Sequence, residues 1–357
     1  MSRSFDIIAG GPGSSVIIHV PHASRAIPDD VRNGILLDDE ALMAELDAMT
    51  DAFTDVIAQH AADQAPRRPW LFINRLSRLV VDPERFPDER EELNAVGMGA
   101  VYERTSTGAM LRAPSVEERD GVIDGYFTPY AAAFERLVEE RIDAVGEATI
   151  IDLHSFPREA LPYELHADGP RPEVCLGTAG FHTGPELLLA ARRAFERHTP
   201  LSDVGVDAPF SGCYVPLKHY DVSPDVHAIM IELRRDLYVD DTFAFQEGSV
   251  APLVAGVGEV IEAADRQLDQ FTPREDLESL CAAFEVNSLD ELGEAIHTAA
   301  GFEAETSVSV DVADGETLMW VDDTYTVLTF PACMFEVADL ADHIRMVASG
   351  EIESRQL

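Results

Sequence analysis

Two stretches of this 357-residue chain decide its fold: Val16-Ile17-Ile18-His19-Val20-Pro21-His22 and Ala148-Thr149-Ile150-Ile151-Asp152-Leu153-His154. Both are nearly continuous apolar runs without polar alternation, which indicates strands buried on both faces of a sheet. Such strands are typical of parallel sheets covered by helices, where ligands bind beyond the carboxyl ends of the strands. The sequence therefore predicts that His22 and His154 reach the same edge of one sheet.

Strands and helices alternate along the rest of the first 270 residues, which predicts a three-layer α/β/α domain with a mostly parallel, mixed sheet. The segment 84–114, rich in Pro, Gly, Glu and Arg, is predicted to be irregular. We predict strands at 5–9, 15–20, 70–73, 79–81, 148–153, 174–178, 204–206 and 228–233, and helices at 38–62, 120–145, 185–197 and 249–269.

A boundary is predicted at Phe271-Thr272-Pro273-Arg274. We expect an α/β catalytic domain over residues 1–272 and a small α+β module over residues 275–357. In the module, helices are predicted at 277–300 and 335–348, with two or three strands within 305–330 around an Asp314-Gly315 turn.

The overall composition narrows the class of partner. The formal net charge is −40, with 66 acidic and 26 basic residues, and such a surface repels nucleic acid and anionic membranes. No apolar run approaches the ~18 residues of a membrane span, and the N-terminus does not resemble a signal peptide, so we expect a cytoplasmic protein. The four cysteines form no CxxC pair and are interpreted as buried thiols.

A catalytic zinc set often contains two histidines and one carboxylate, with an open position for water. His22 and His154 are candidate ligands, although each could instead be a histidine satisfied by local backbone. His19, inside the run, is more typical of a packed core residue. For the carboxylate we choose Asp47 on the predicted helix 38–62, and Glu45 or Asp51 remains possible.

Two further acidic residues follow buried strands. Asp152 shares a strand face with His154 and could orient it, as metal-bound histidines usually require. Glu232 ends the run Ile229-Met230-Ile231 and is costly there unless it is used or paired. It is either a general base or the partner of a neighbouring arginine, Arg234 or Arg235.

Arginines cluster in Asn74-Arg75-Leu76-Ser77-Arg78 and again at Arg85. Beside strands, such guanidinium groups either bind an anionic ligand in bidentate fashion or pair with Asp82 and Glu84. The small-residue turn Pro209-Phe210-Ser211-Gly212 is either a loop that covers the substrate or a plain turn.

Taken together, these motifs resemble the N-formylglutamate amidohydrolase family, which is similar in fold to zinc carboxypeptidases. The matching elements cover about residues 14–240: Pro21-His22-Ala23-Ser24, the Asp47 helix, Asn74 to Arg85, Asp152-Leu153-His154-Ser155, Pro209 to Gly212 and Ile231 to Arg235. Zinc carboxypeptidases carry an acid three residues after the first histidine, and this chain has Arg25 there. The resemblance does not account for residues 275–357.

The resemblance implies a zinc-dependent hydrolase of a linear amide, with N-formyl-L-glutamate as the name-giving substrate and a small anionic molecule as the partner. It implies one zinc ion on His22, Asp47 and His154, with Glu232 as general base. The implied substrate-binding residues are Asn74, Arg75, Arg78, Arg85, Ser155 and Arg234. A peptidase or peptidoglycan-type amidase, and a non-enzymatic ligand- or metal-binding regulator, are the alternatives. The sequence leaves the oligomeric state open.

Overall fold

The chain divides into two compact units, residues 1–265 and 266–357. The computed structural model describes residues 4–164, 169–240, 242–270, 273–274, 286, 288–302, 306–313, 316–321, 324–327 and 330–331. None of the helices in these ranges combines the length and the apolar character that a bilayer crossing requires.

The first unit is built on one seven-stranded sheet. Its strands are β1 (Phe5–Ile8), β2 (Val16–Val20), β3 (Trp70–Asn74), β4 (Ala148–Phe156), β5 (Val174–Gly177), β6 (Val204–Val206) and β7 (Val226–Arg234). The α-helices are α1 (Asp29–Arg32), α2 (Asp39–Met49), α3 (Thr54–Gln64), α4 (Val116–Val122), α5 (Thr128–Val145), α6 (Pro185–His198) and α7 (Glu247–Gln270). A π-helical turn, Ile123–Phe127, joins α4 to α5.

The strand order is β1-β3-β2-β4-β7-β5-β6. The four central strands β3, β2, β4 and β7 run parallel, whereas β1 is antiparallel to β3 and β5 is antiparallel to β7. The sheet is therefore mixed but mostly parallel, as the apolar runs predict. The carboxyl ends of β2, β4 and β7 lie at one edge, where ligands bind in sheets of this type.

Both faces of the central strands are covered. Every residue of β2 and β4 is buried, including consecutive residues that point to opposite faces. On one face, Tyr130, Phe134 and Val138 of α5 pack with Ile17, Phe72 and Ile150 of the sheet. Helix α5 is amphipathic over 18 residues, and its apolar stripe forms this core.

The predicted helix 38–62 is wrong as a single helix. It is two helices, α2 and α3, separated at residues 50–53, where Phe53 has a positive φ of 64°. The segment between them is held by the Asp51 backbone N–H, which donates to the His22 carbonyl at 3.0 Å. This tertiary bond places Asp51 beside the end of β2 and is invisible to helical periodicity.

The predicted strand at 79–81 is also wrong. Leu79, Val80 and Val81 are buried, but the segment is a turn in which the Val80 N–H donates to the Ser77 carbonyl. Its apolar character reflects packing in the core, since a short apolar run does not distinguish a strand from other buried backbone.

The second unit contains helix α8 (Leu289–Ala300) and a three-stranded antiparallel sheet of β9 (Val308–Ala313), β10 (Glu316–Val321) and β11 (Thr324–Val327). Two short strands, β8 (Pro273–Arg274) and β12 (Phe330–Pro331), pair with each other. The described helix and the three-stranded sheet lie within the predicted ranges 277–300 and 305–330. The predicted helix at 335–348 lies outside the described residues.

We expect Phe134→Ala to destabilise the first unit by about 3–5 kcal/mol, because the ring is fully buried between α5 and the sheet. Urea unfolding followed by circular dichroism measures this change. Leu201→Ala is the control, since Leu201 is 72% exposed and its truncation should shift the free energy of unfolding by no more than about 0.5 kcal/mol. Equal effects of the two substitutions would contradict the assignment of this core.

Candidate metal centre

The register of the sheet brings together the polar residues at its carboxyl edge. His154 on β4 lies opposite Glu232 on β7, and His19 on β2 lies opposite Asp152 on β4. His22 follows β2 after a single proline. All of these side chains are buried, although they are polar or ionisable. Burying such groups costs free energy unless they are paired with other groups or bind a ligand, so this edge is the candidate functional site.

Three side chains converge at this edge: His22, His154 and Asp51. The Nδ1 atoms of the two histidines are 3.3 Å apart. Asp51 Oδ2 lies 3.0 Å from Nδ1 of His154 and 3.5 Å from Nδ1 of His22. Two imidazole nitrogens and one carboxylate oxygen at these separations form a group that could hold a metal ion.

The carboxylate of this cluster corrects the choice of Asp47. The Asp47 side chain is 45% exposed and pairs with Arg25 at 2.6 Å. Glu45 is also directed elsewhere, because its carboxylate accepts hydrogen bonds from the backbone N–H and hydroxyl of Ser106. A continuous helix would have put Asp47 and Asp51 on one face, but α2 ends at Met49 and Asp51 lies beyond it.

The second ring nitrogen of each histidine faces other carboxylates. His22 Nε2 is 3.0 Å from Asp82 Oδ1. His154 Nε2 lies 3.2 Å from Asp152 Oδ1 and 3.2 Å from Glu84 Oε1, off the line of a hydrogen bond to either. Asp51 likewise faces Nδ1 of both rings, so carboxylates lie at both nitrogens of each histidine. A cation on the Nδ1 side would leave the proton of each ring on Nε2, facing these oxygens. Metal-bound histidines are usually arranged in this way.

The electrostatics of the cluster favour positive charge at its centre. Burial lowers the pKa of His154, but Glu84 and Asp152 outweigh burial and hold it well above the usual value. The pKa of His22 is raised in the same way, because Asp82 and Glu84 outweigh burial and Arg78. Burial opposes ionisation of Asp51, yet the two histidines keep its pKa below the usual range.

Glu232 of β7 lies beside His154 of β4 in the sheet and lines the same cavity as this cluster. Its side chain is 9% exposed, and Oε2 makes no hydrogen bond. Burial raises the pKa of Glu232 to about 8, with His154 acting in the opposite direction. Neither arginine considered as its partner pairs with it: Arg234 pairs with Asp236 at 2.8 Å, and Arg235 donates to backbone carbonyls. A buried carboxyl without a partner, beside a cluster of metal-binding type, has the properties of a proton acceptor and donor.

These residues fit a divalent metal ion on chemical grounds. Nitrogen and carboxylate donors are the ligands that zinc takes in catalytic sites, where three protein ligands leave a position open. Two facing Nδ1 lone pairs at 3.3 Å repel each other unless a proton or a cation lies between them. The unpartnered Glu232 oxygen also suits a group that is not part of the protein.

A cavity of about 490 Å³ opens onto the cluster. Its polar lining includes His22, Asp51, His154 and Glu232, and Phe86, Leu161, Tyr163 and Phe210 form apolar and aromatic walls. Pro209, Phe210 and Ser211 of the predicted loop also line it. A cavity of this size is suited to a small molecule, and its many charged lining residues favour a polar one.

The structure separates the predicted substrate-binding residues into two groups. Arg78, Arg85 and Ser155 line the cavity. Arg78 is held by Asp82 at 2.8 Å, whereas Arg85 Nε is buried without a hydrogen bond and lies 3.6 Å from Asp82. Both guanidinium groups therefore line the same cavity as the candidate ligands, and their role in substrate binding stays a prediction.

Asn74, Arg75 and Arg234 do not line the cavity and need correction. Asn74 donates to the Pro21 carbonyl at 2.9 Å and accepts from the Leu76 N–H at 3.0 Å, so it shapes the turn before His22. Arg75 pairs with Asp6 and Asp55. Arg234 donates to the Arg171 carbonyl in addition to its ion pair. Each is satisfied by protein groups outside the cavity.

Arg235 is a cavity residue that the sequence analysis considered only as a possible partner of Glu232. It is buried and donates through Nη1 to the carbonyls of Asp47 and Ala48, each at 3.2 Å, and through Nη2 to the Ser155 carbonyl at 3.3 Å. It thereby satisfies orphan carbonyls at the end of α2 and ties that helix to β4. A 3₁₀ turn starts at Arg235, so strand alternation could not choose between the two consecutive arginines.

A cluster of potential metal ligands lies at the carboxyl edge of a mostly parallel sheet and faces a cavity for a small molecule. This arrangement is typical of α/β enzymes, some of which are metal-dependent hydrolases. Comparison with known proteins identifies the family within this class. The sequence profile of the N-formylglutamate amidohydrolase family matches residues 14–239, which is more than half of the chain. The chain therefore belongs to the N-formylglutamate amidohydrolase family of hydrolases.

Individual relatives agree with this assignment. The chain is 26% identical over 256 residues to N-formylglutamate deformylase of Pseudomonas putida, covering 70% of this chain and 91% of that protein. The crystal structure of N-formylglutamate amidohydrolase from Ralstonia eutropha JMP134 superposes with a TM-score of 0.60 at 21% identity, covering 74% and 97% of the two chains. A gene product of Agrobacterium tumefaciens gives a TM-score of 0.55 at 18% identity, covering 75% and 97%. At these identities, the two structures support the fold.

We expect Asp51→Asn to lose stoichiometric zinc, because it removes the anionic oxygen between the two histidines. Asp47→Asn is the matched control and should keep zinc, since its carboxylate pairs with Arg25 on the surface. Metal content after dialysis against zinc-containing buffer, measured by mass spectrometry, distinguishes the two. Zinc loss in Asp47→Asn with retention in Asp51→Asn would show that Asp47, and not Asp51, is the carboxylate ligand.

Proposed function

We propose that this protein hydrolyses the linear amide of an N-formyl or N-acyl amino acid, with N-formyl-L-glutamate as the first substrate to test. One observation carries the proposal: the unpartnered Glu232 carboxyl faces the same cavity as the convergent His22, Asp51 and His154. Membership of the family and the name of the Pseudomonas putida relative support the choice of substrate. The net charge of −40 repels an anionic substrate over most of the surface, so the proposal requires a positive group within the cavity.

In this proposal, His22 and His154 bind one zinc ion through Nδ1, and Asp51 completes the protein ligands. Zinc in such a site acts as a Lewis acid and lowers the pKa of water. The protein's own contribution is the arrangement of the ligands. Asp82 holds His22, and Asp152 and Glu84 lie against His154. Arg235 ties the end of α2, which precedes Asp51, to Ser155 of β4.

Glu232 is the proposed general base. Its carboxylate takes the proton from the attacking water and returns it to the leaving amine nitrogen, so that the amide C–N bond breaks to give a carboxylic acid and a free amine. A nearby positive charge lowers the pKa of a carboxyl, so the value of about 8 caused by burial would fall towards the range in which Glu232 is ionised at neutral pH. The same burial keeps bulk water from competing for the proton.

Arg85 is the proposed partner of a substrate carboxylate. It lines the cavity, and Asp82, its nearest acid, already pairs closely with Arg78. A guanidinium with unused donors can bind a carboxylate in bidentate geometry, which would attract an anionic amino acid to this acidic protein. The aromatic ring of Tyr163 lies in the same cavity and limits the shape of the substrate.

The substrate class is tested with a panel of N-formyl, N-acetyl and N-succinyl amino acids together with short peptides. We expect N-formyl-L-glutamate or a close analogue to be hydrolysed best, activity to be lost after treatment with a chelator, and zinc to restore it. Preferential cleavage of peptides would favour the peptidase alternative. A protein that binds zinc but hydrolyses none of these amides would contradict the proposal.

We expect Glu232→Gln to lower kcat by about a hundred- to ten-thousand-fold, the usual range for loss of a general base, while zinc content stays at the wild-type level. Steady-state kinetics and metal analysis of the same preparation measure both quantities. Glu92→Gln is the control, because Glu92 also lines the cavity but lies on the exposed turn Glu92–Val96. Wild-type kcat in Glu232→Gln would exclude Glu232 as the base.

We expect Arg85→Gln to raise KM for the anionic substrate about 10- to 100-fold with a smaller effect on kcat, because a charged hydrogen bond contributes about 1.5–3 kcal/mol to binding. Arg75→Gln should leave KM unchanged, since Arg75 is engaged by Asp6 and Asp55 outside the cavity. A raised KM in Arg75→Gln together with an unchanged KM in Arg85→Gln would indicate that Arg75 binds the substrate carboxylate.

A further inference from the structure

His19 is a buried histidine that the proposed reaction does not use. It is fully buried in β2, and its ring stacks on Phe134 with centroids 4.6 Å apart. An apolar residue would fill a core position at lower cost, because both ring nitrogens of a buried histidine need hydrogen-bond partners. Both do: Nδ1 is 2.8 Å from Asp152 Oδ1, and Nε2 is 2.6 Å from the Tyr130 hydroxyl.

The neighbours of His19 show which ring nitrogen donates a hydrogen bond and which accepts one. Nδ1 of His19 faces Asp152 Oδ1 and, at 3.5 Å, Glu84 Oε1, so this nitrogen carries a proton and donates. In the neutral ring, Nε2 is then an acceptor, and the Tyr130 hydroxyl donates to it. Tyr130 therefore favours the tautomer of His19 that donates to Asp152.

Asp152 links His19 to His154 of the candidate metal centre. Its Oδ2 accepts from the Tyr214 backbone N–H at 3.0 Å, and its Oδ1, already bonded to His19, lies 3.2 Å from His154 Nε2, off the line of a hydrogen bond. With both oxygens engaged, the carboxylate cannot rotate without breaking a buried hydrogen bond. Its fixed negative charge therefore attracts a protonated Nε2 of His154 electrostatically, while Nδ1 of that ring faces Asp51 and His22.

We propose that His19 and Tyr130 are positioning residues of the metal centre, acting through Asp152 to hold His154 in the orientation and tautomer in which Nδ1 is the metal-binding atom. This inference rests on the proposed metal centre, but not on the identity of the substrate. The partners behind a metal-bound histidine typically change metal affinity by about 10- to 100-fold when they are removed.

The test is the zinc dissociation constant of the full-length protein, measured by competition with a chromogenic chelator. We expect Tyr130→Phe, which removes only the hydroxyl, to weaken zinc binding about 10-fold. Tyr214→Phe is the matched control: its ring also packs against His19, with centroids 4.9 Å apart, and its contact to Asp152 is through the backbone. It should bind zinc as the wild type does.

His19 is tested by two substitutions. The amide N–H of Asn occupies about the position of Nδ1, so His19→Asn should retain part of the affinity, whereas His19→Leu should lose about 10- to 100-fold. The visible absorption of the cobalt-substituted protein gives a second measurement, because its band positions and intensities follow the coordination geometry. We expect changed bands in Tyr130→Phe and unchanged bands in Tyr214→Phe.

Several outcomes would overturn this inference. Wild-type zinc affinity and cobalt spectrum in Tyr130→Phe would do so, and this variant keeps the inference testable if His19→Leu does not fold. Equal losses in Tyr130→Phe and Tyr214→Phe would reduce the role of His19 to packing. Two zinc ions per wild-type chain, with one lost in His19→Asn, would make His19 a ligand. If the wild type binds no zinc, this inference and the proposed centre both fail, whereas zinc binding without amide hydrolysis contradicts only the proposed function.

Discussion

Two imidazole nitrogens 3.3 Å apart, beside a buried carboxylate, impose the constraint on which the rest of this site depends. The Nδ1 atoms of His22 and His154 can remain this close only if a proton or a cation lies between them. The surrounding carboxylates favour a cation at this point: Asp51 faces both nitrogens, and Asp82, Asp152 and Glu84 lie behind the rings. The arginines of this region then balance the carboxylates, as the contact of Arg78 with Asp82 shows.

The parallel sheet makes this arrangement possible. Adjacent parallel strands deliver their carboxyl ends to one edge, so residues 22, 154 and 232, distant in sequence, become neighbours without any local motif. Sequence analysis could predict this part because apolar runs identify buried strands and their last residues identify the edge. His22, His154 and Glu232 were found in this way, and the family resemblance placed them in one site.

The third ligand candidate could not be chosen by the same reasoning. Periodicity describes a regular helix, which would put Asp47 and Asp51 on one face, but the helix is interrupted by a backbone bond between Asp51 and His22 and by the positive φ of Phe53. These are tertiary features. Likewise, Arg75 and Arg85 are chemically identical in the sequence, and only their neighbours show that one is paired outside the cavity and the other lines it.

The positions of the three candidate ligands along the chain have a thermodynamic consequence. His22, Asp51 and His154 belong to separate segments, so one ion bound to all three would act as a cross-link that closes two long loops of the chain. An ion that binds the folded chain and not the unfolded chain stabilises it by an amount that grows with the logarithm of free metal concentration. For this protein, metal supply and resistance to unfolding would therefore be coupled quantities, set by the same three side chains.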